Sequence, residues 1–432
     1  MCILQHNAQR TAQIRFLYLV DIDTVVTDFA ILYIIKAVNQ IGNRRFARTR
    51  ASYKGNFLPR RRKYFDIVSE MNDPDVISLG VGEPDFETPW HIRDEGIYSL
   101  EKGRTFYTAN AGLLELREEI NRYLNRRFDL NYDPKSGILV TVGGSEAIDI
   151  ALRAMVDPGD EVIIPQPSYV SYEPCAVLAG ATPVIIELKN ENQFRLTAAE
   201  LEAAITDKTK VLILPFPNNP TGAIMERRDL EEIAKVIEKH DIFVLSDEIY
   251  SELCYTENHV SIANIPGMWE RTILINGFSK SYAMTGWRLG YACGPVQIIE
   301  QMYKIHQFCI MCAPTTSQYA AIDALKNGDA DVQMMRDSYN QRRRYLVNAF
   351  REMGLECFEP FGAFYMFPCV KQFGMTSDEF ASRLLHEEKL AVVPGNAFGD
   401  NGEGFLRISY AYSLEKLKVA MGRLGHFVER LK

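Results

Sequence analysis

Between residues 138 and 293 the chain alternates short apolar runs with longer amphipathic ones, and this rhythm limits the fold more than any other feature. The runs at 138–142, 161–165, 183–187, 210–215, 242–245, 272–275 and 289–293 have the length of buried strands. Between two of them Ile148, Ala151, Leu152 and Met155 recur at i, i+3, i+4 and i+7, and Leu230, Ile233, Ala234 and Ile237 mark a second helical stripe over 226–239. Strands alternating with helices predict an α/β fold with a mostly parallel sheet covered on both faces. Further helices are expected over 113–127 and 297–350. Short strands are expected at 75–79, 355–359, 364–368 and 390–393, and a closing amphipathic helix carries Leu414, Leu417, Met421, Leu424 and Val428.

With 432 residues, 47% hydrophobic and 24% charged, the chain can bury two cores. Its 56 acidic against 48 basic residues give a net charge of −8, which argues against a general nucleic-acid surface and favours small-molecule chemistry. The eight cysteines are scattered through apolar runs, as in reduced cytoplasmic proteins, and the Cys309/Cys312 pair reads as structural. The apolar stretch 14–38 contains Asp21, Asp23 and Asp28, each costing roughly 2.5–3.5 kcal/mol at a bilayer centre, so no membrane span and no signal peptide are expected there. A basic tract from Arg44 to Lys63 follows, read as a solvated linker or upstream sequence in preference to an arm for an anionic partner.

Chemistry-bearing residues cluster where the apolar runs end. Gly143-Gly144-Ser145-Glu146 follows the first run and opens a helix, so exposed backbone N–H groups and the helix N-terminus suit a phosphate. The next run leads to Gln166-Pro167-Ser168-Tyr169, and 210–215 leads to the rigid loop Phe216-Pro217-Asn218-Asn219-Pro220-Thr221-Gly222. Asp247 ends a buried run, where a carboxylate is costly unless it caps a helix or meets a cation, and Tyr250 lies three residues on. After 272–275 come Ser279, Lys280 and, eight residues further, Arg288, among the small residues Gly277, Ser281 and Ala283. An amine and a guanidinium at one cavity suit an aldehyde that carries a phosphate, through a Schiff base and paired charge-assisted bonds; pyridoxal 5'-phosphate is such a molecule. Outside this region stand the turn-rich loop Gly80-Val81-Gly82-Glu83-Pro84-Asp85-Phe86, the segment Thr105-Phe106-Tyr107-Thr108, and Arg407 inside the apolar run 405–410, where a buried charge needs a counterion.

These segments, in this order, resemble the fold-type I pyridoxal-phosphate-dependent aminotransferases of the aspartate and aromatic aminotransferase superfamily (class I/II), with Asn219-Pro220-Thr221-Gly222 among the more specific matches. The resemblance covers about residues 64–432. It implies a three-layer α/β transferase fold with a mostly parallel central sheet in a large domain (96–325), and a smaller α/β domain built from 63–95 and 326–432. Residues 1–62 are left as an extension without an assigned role.

The resemblance also implies that Lys280 forms the Schiff base and moves the proton, that Asp247 meets the ring nitrogen, and that Tyr250 and Asn219 reach the ring oxygen. Tyr169 would stack on the ring. Gly144, Ser145, Glu146, Ser279 and Arg288 would hold the phosphate, and Tyr107 would hold the phosphate of a second copy in a homodimer. Arg407, Asn219 and Gly82 would hold the substrate carboxylate, and the bonds Gln166–Pro167 and Asn219–Pro220 would be cis. The expected reaction moves an amino group from an L-amino acid, aromatic or broad in range, to a 2-oxo acid such as 2-oxoglutarate. Tyr107, Tyr169, Phe361 and Phe364 would line the pocket, and no nucleic acid, membrane or metal is involved. A β-lyase or cyclopropane-forming synthase of the same fold is the alternative, and a cofactor-sensing regulator a more distant one.

Overall fold

The computed structural model describes residues 73–256 and 259–432; the expectations for residues 1–72 lie outside it. The chain enters through a short strand, β1 (Ile77–Ser78), and helices α1 (Trp90–Glu101) and α2 (Leu114–Phe128). The alternating region then forms β2 (Ile138–Thr141), α3 (Gly143–Met155), β3 (Glu161–Gln166), α4 (Tyr172–Leu178), β4 (Thr182–Glu187), α5 (Ala198–Ala204), β5 (Thr209–Leu214), α6 (Arg227–His240), β6 (Phe243–Asp247), β7 (Thr272–Gly277) and β8 (Gly290–Cys293). These seven strands make one sheet in the order β2-β8-β7-β6-β5-β3-β4, and only β8 runs against the others.

All residues of β2 and β7 and nearly all of β6 are buried, so apolar residues are needed on both faces. On one face Leu139, Ile148, Leu152, Ile213, Leu245 and Ile275 pack together; on the other, β5 and β6 meet α6 through Leu212, Val244, Ile233 and Ile237. At ~25 cal/mol per Å² of apolar surface, each fully buried Leu or Ile contributes ~1.5–3 kcal/mol to holding these layers.

The chain continues through α7 (Val296–Cys309), α8 (Thr315–Asn327), the long α9 (Asp329–Met353), β9 (Tyr365–Met366), α10 (Ser377–Glu388), β10 (Leu390–Ala391), β11 (Val393–Pro394), β12 (Leu406–Ser409) and α11 (Leu414–Leu431). A second core gathers α9, α10, α11, β9 and β12 around Tyr339, Phe364, Phe380, Leu424 and Phe427; Leu79 and Tyr250 also join it. The strand β1 pairs with β10, so the two ends of the described chain meet in this core.

One local expectation needs correction, and helix α1 is among the elements that the sequence pattern does not announce. Residues 355–359, expected as a strand, are irregular, because Gly354 ends α9 in a left-handed turn, Glu356 shares a single backbone bond with Cys369, and Pro360 follows. Helix α1 lacks a clear apolar stripe in sequence, and only Ile92, Gly96 and Ser99 are buried along it.

Candidate active site

Because β2, β3, β5, β6 and β7 run in parallel, the loops that follow them leave the same edge of the sheet, where open α/β sheets bind ligands. That edge gathers the turn after β2 (Gly143–Glu146), the loop after β5 (Phe216–Gly222), Asp247 at the end of β6, and the Lys280–Arg288 loop after β7. Register fixes the spacing: Gly277 faces Gly290, and Gly290 faces Thr141. A Cβ on Gly290 would lie 2.6 Å from the Gly143 carbonyl carbon and 2.7 Å from the Gly144 nitrogen, so only glycine lets β8 pass under the turn. Gly143 itself has φ +73°, and a Cβ there would sit 2.9 Å from an Arg288 nitrogen. The guanidinium of Arg288 therefore lies against the glycine turn, and the two parts of the expected phosphate cradle are together. Arg288 and Ala283 both hold left-handed backbone (φ 53° and 52°), a strain of ~1–3 kcal/mol each that the surrounding fold must sustain.

The Lys280 amine donates to the Gly82 carbonyl at 2.5 Å and lies 5.7 Å from the Phe364 ring and 6.0 Å from that of Tyr250. Burial pushes it down to about 8, with Arg407 and Arg288 acting the same way against Glu83 and Asp247. At neutral pH a usable fraction is therefore uncharged.

Asp247 and Glu248 are adjacent carboxylates with different surroundings. Glu248 accepts from Ser246 and Ser261 and pairs with His259, which it lifts to about 10 despite burial. Asp247 accepts from the Tyr172 hydroxyl at 2.7 Å and the Ile249 N–H at 3.2 Å. Burial raises its carboxyl, and these two donors oppose the rise. Among the described residues no cation lies within ion-pair distance of Asp247.

Arg407, 4% exposed, is the opposite case. Its guanidinium donates to Asn219 Oδ1 at 3.0 Å and to the Gly80 carbonyl, and sits 4.8 Å from the Tyr365 ring and 4.7 Å from that of Phe398. Among the described residues its Nε has no partner and no carboxylate pairs with it, so none of them supplies the structural salt bridge that would explain a buried arginine. The loop before it separates two asparagines by role: buried Asn218 accepts from Thr221 and shapes the turn, leaving Asn219 to face Arg407. Cis bonds occur at Gln166–Pro167 and Asn219–Pro220, and also at Phe216–Pro217.

Most of the expected residues come together here. Ser279 is buried beside Lys280, Tyr169 lies edge-on to Tyr172, and the Tyr250 hydroxyl meets that of Tyr365 at 2.7 Å. Glu146 offers only its backbone to the cradle, since its carboxylate accepts from the Val142 N–H and meets His306. Phe361 turns instead to Arg343, its ring 5.2 Å from that guanidinium, and Tyr365 stands beside Arg407. Tyr107 does not reach this protomer's cluster; it is 80% exposed. Two participants were missed in the sequence. Tyr172 could have been found from its i+3 spacing to Tyr169, whereas Tyr365 carries no sequence signal, because its place depends on β9 pairing with β12.

A buried carboxylate awaiting a cation, a buried guanidinium awaiting an anion, a lowered lysine and a glycine cradle against an arginine fit pyridoxal phosphate, whose ring N–H, aldehyde and phosphate match the first, third and fourth. A sheet with that set at its carboxyl edge defines a pyridoxal-phosphate-dependent enzyme of fold type I. Residues 74–424 match the family model described as aminotransferase class I and II, and the chain belongs to that family.

It is 53% identical over 369 residues to a putative aminotransferase of Bacillus subtilis (85% of this chain, 95% of the relative). It is 48% identical over 374 residues to an aspartate aminotransferase of Pyrococcus abyssi (86% and 96%). The crystal structure of an aromatic aminotransferase from Pyrococcus horikoshii superposes with a TM-score of 0.81 at 46% identity, covering 85% of this chain and 100% of that one. The protein is thus an enzyme of amino-group transfer. The lyase and sensor alternatives have no counterpart in these relatives.

Proposed function

We propose that the enzyme takes an amino group from an L-amino acid of aromatic or broad range and passes it to a 2-oxo acid such as 2-oxoglutarate, with each side chain of the cleft in a defined role. The carrying observation is the pair of buried charges near Lys280, Asp247 and Arg407, neither of which has an ion-pair partner among the described residues. Pyridoxal phosphate, when bound, supplies the aldehyde that takes up the amino group and a ring that accepts the electrons of the Cα–H bond.

The protein does the rest. The backbone N–H groups of Gly144, Ser145 and Glu146, the Ser279 hydroxyl and the Arg288 guanidinium bind the phosphate. Asp247, steadied by Tyr172, holds the proton on the ring nitrogen, while Tyr250 and Asn219 donate to the ring oxygen and Tyr169 covers the ring face. Lys280 would hold the aldehyde carbon through its amine, with loss of water, and, once the substrate amine has taken that place, would as a free amine carry the proton from substrate Cα to the former aldehyde carbon. Arg407 grips the α-carboxylate at two points, which lysine cannot reproduce, with Asn219 and the Gly82 backbone beside it. The aromatic rings of Tyr365, Phe398 and Phe364 around these groups favour an apolar or aromatic substrate side chain, in keeping with the aromatic aminotransferase among the similar structures.

The exposed rings support a homodimer as part of this reading. Phe106 and Tyr107 are 81% and 80% exposed, yet their loop is pinned: Thr315 donates to the Phe106 carbonyl and Gln318 to Thr108. A rigid loop presenting two bare aromatics suits a second copy, whose phosphate Tyr107 would meet. The domain division at about residues 95 and 325 belongs to this reading, as does the cytoplasm. All seven cysteines among the described residues are free thiols, and no described helix is long and apolar enough to cross a membrane. Steady-state assay against a panel of amino donors with 2-oxoglutarate tests the assignment; turnover confined to release of ammonia and a keto acid without an acceptor would replace it by a lyase.

A further inference from the structure

A carboxylate in the first turn of a phosphate-binding helix is a liability, because it repels the anion the turn must hold. Glu146 occupies that place in α3. Its side chain is folded back: Oε2 accepts from the Val142 N–H at 2.5 Å, and Oε1 meets Nδ1 of His306 at 2.6 Å. His306 comes from the last turn of α7 and is fully buried. Its Nε2 has no hydrogen-bond partner among the described residues, and a bare lone pair is cheaper to bury than an orphan N–H, so the proton belongs on Nδ1, facing Glu146. The backbone that carries the ring is fixed, since the His306 carbonyl accepts from the Ile310 and Met311 N–H groups at the end of α7, and the ring itself is fully enclosed. Val142, which Glu146 holds, is the residue immediately before the Gly143–Ser145 turn.

We propose that His306 is a positioning residue for the cofactor phosphate: through Glu146 it fixes the Val142 N–H, and with it the glycine turn, and keeps the Glu146 charge turned from the anion. The inference rests on the reading of residues 143–146 as the phosphate cradle. Nothing in the proposed chemistry uses His306 directly, so its effect is confined to the part of binding that the phosphate supplies.

The test compares pyridoxal 5'-phosphate with pyridoxal, which lacks the phosphate, in equilibrium titrations of the full-length apoprotein followed by absorbance. His306→Leu should weaken binding of the phosphate form about tenfold, ~1.4 kcal/mol, and leave pyridoxal binding unchanged. His306→Asn, whose amide places a donor near Nδ1, should stay within about threefold of the parent for both. Glu146→Ala should lose the same increment as His306→Leu, and the double variant should lose no more than either alone. Additive losses, an unchanged phosphate-form affinity in His306→Leu, or equal losses for both ligands would overturn the proposal; the last pattern is what general damage to folding gives. A parent protein that binds both ligands equally well would instead overturn the cradle reading, and this inference with it.

Discussion

At the residue scale, the site depends on how burial treats ionisable groups that look alike in sequence. The lowering of Lys280 to about 8 sets a pH dependence. Its free amine becomes the major form as pH rises through about 8, so the rate at which apoprotein captures pyridoxal phosphate should rise through that pH and level off above it, which stopped-flow absorbance can follow. The same lowering bears on stability. Folding disfavours the ammonium, so the penalty is fully present below about pH 8 and vanishes above the unfolded-state value of 10.5. Replacing Lys280 by Met should therefore raise the apoprotein's denaturation midpoint at pH 7 and not at pH 11.

Substitution of Lys280 by Ala should cut transamination by about 10³-fold or more, the scale of a lost proton-transfer group. Tyr172→Phe removes a hydrogen bond to a charged group worth ~1.5–3 kcal/mol and should lower kcat about tenfold with little change in KM for the amino donor. Arg407→Lys should raise KM for amino and oxo acids by ~10-fold or more while the spectrum of the bound cofactor stays the same, because the clamp is lost and the cofactor contacts are not.

At the element scale, what holds the site is the packing of β8 beneath the turn that opens α3. Gly290→Ala would drive a methyl into the backbone of Gly143 and Gly144, neither of which can rotate away as a side chain could. The expected cost is ~1–3 kcal/mol in urea unfolding, together with weaker cofactor retention.

Legibility in the sequence followed the same division. Strands buried on both faces, and helices with a complete stripe such as α3 and α6, were readable because one physical demand decided every position. The Lys280, Asn219 and Gly143–Glu146 segments were readable because their residue types are costly or strained without a ligand. Helix α1 and the 355–359 loop were not, since α1 buries only a few small or apolar positions and 355–359 is shaped by a cap, a single backbone bond and a proline. Tyr365 was invisible for a third reason: its neighbours Tyr250, Arg407 and Gly82 come from distant parts of the chain.

At the scale of the whole molecule, the cleft lies between a sheet edge and a second core that shares Tyr250 with it. The Gly80–Thr88 segment is tied to both sides. Glu83 accepts from Thr285, Thr88 donates to the Ala283 carbonyl, and Asp85 pairs with Arg342 at 2.7 Å, beneath whose guanidinium lie Phe86 and Tyr339. Gly82, which receives the Lys280 amine, is thereby set by contacts to the lysine loop and to α9. In the proposed dimer each cleft is completed by the other copy's Tyr107. Tyr107→Ala should then weaken cofactor binding by roughly 3- to 10-fold, within the value of one hydrogen bond, while sedimentation still shows a dimer held by the remaining surface.

The central claim is that the residues around Lys280 carry an amino group between two acids. Its most direct test is to add single L-amino acids, without any oxo acid, to the cofactor-loaded protein and follow the visible spectrum. Stoichiometric conversion to the pyridoxamine form by a preferred, predominantly aromatic or broad set of amino acids, reversed by 2-oxoglutarate and absent in Lys280→Ala, is the predicted result. A spectrum that no amino acid converts, or one that returns unaided while ammonia accumulates, would contradict it.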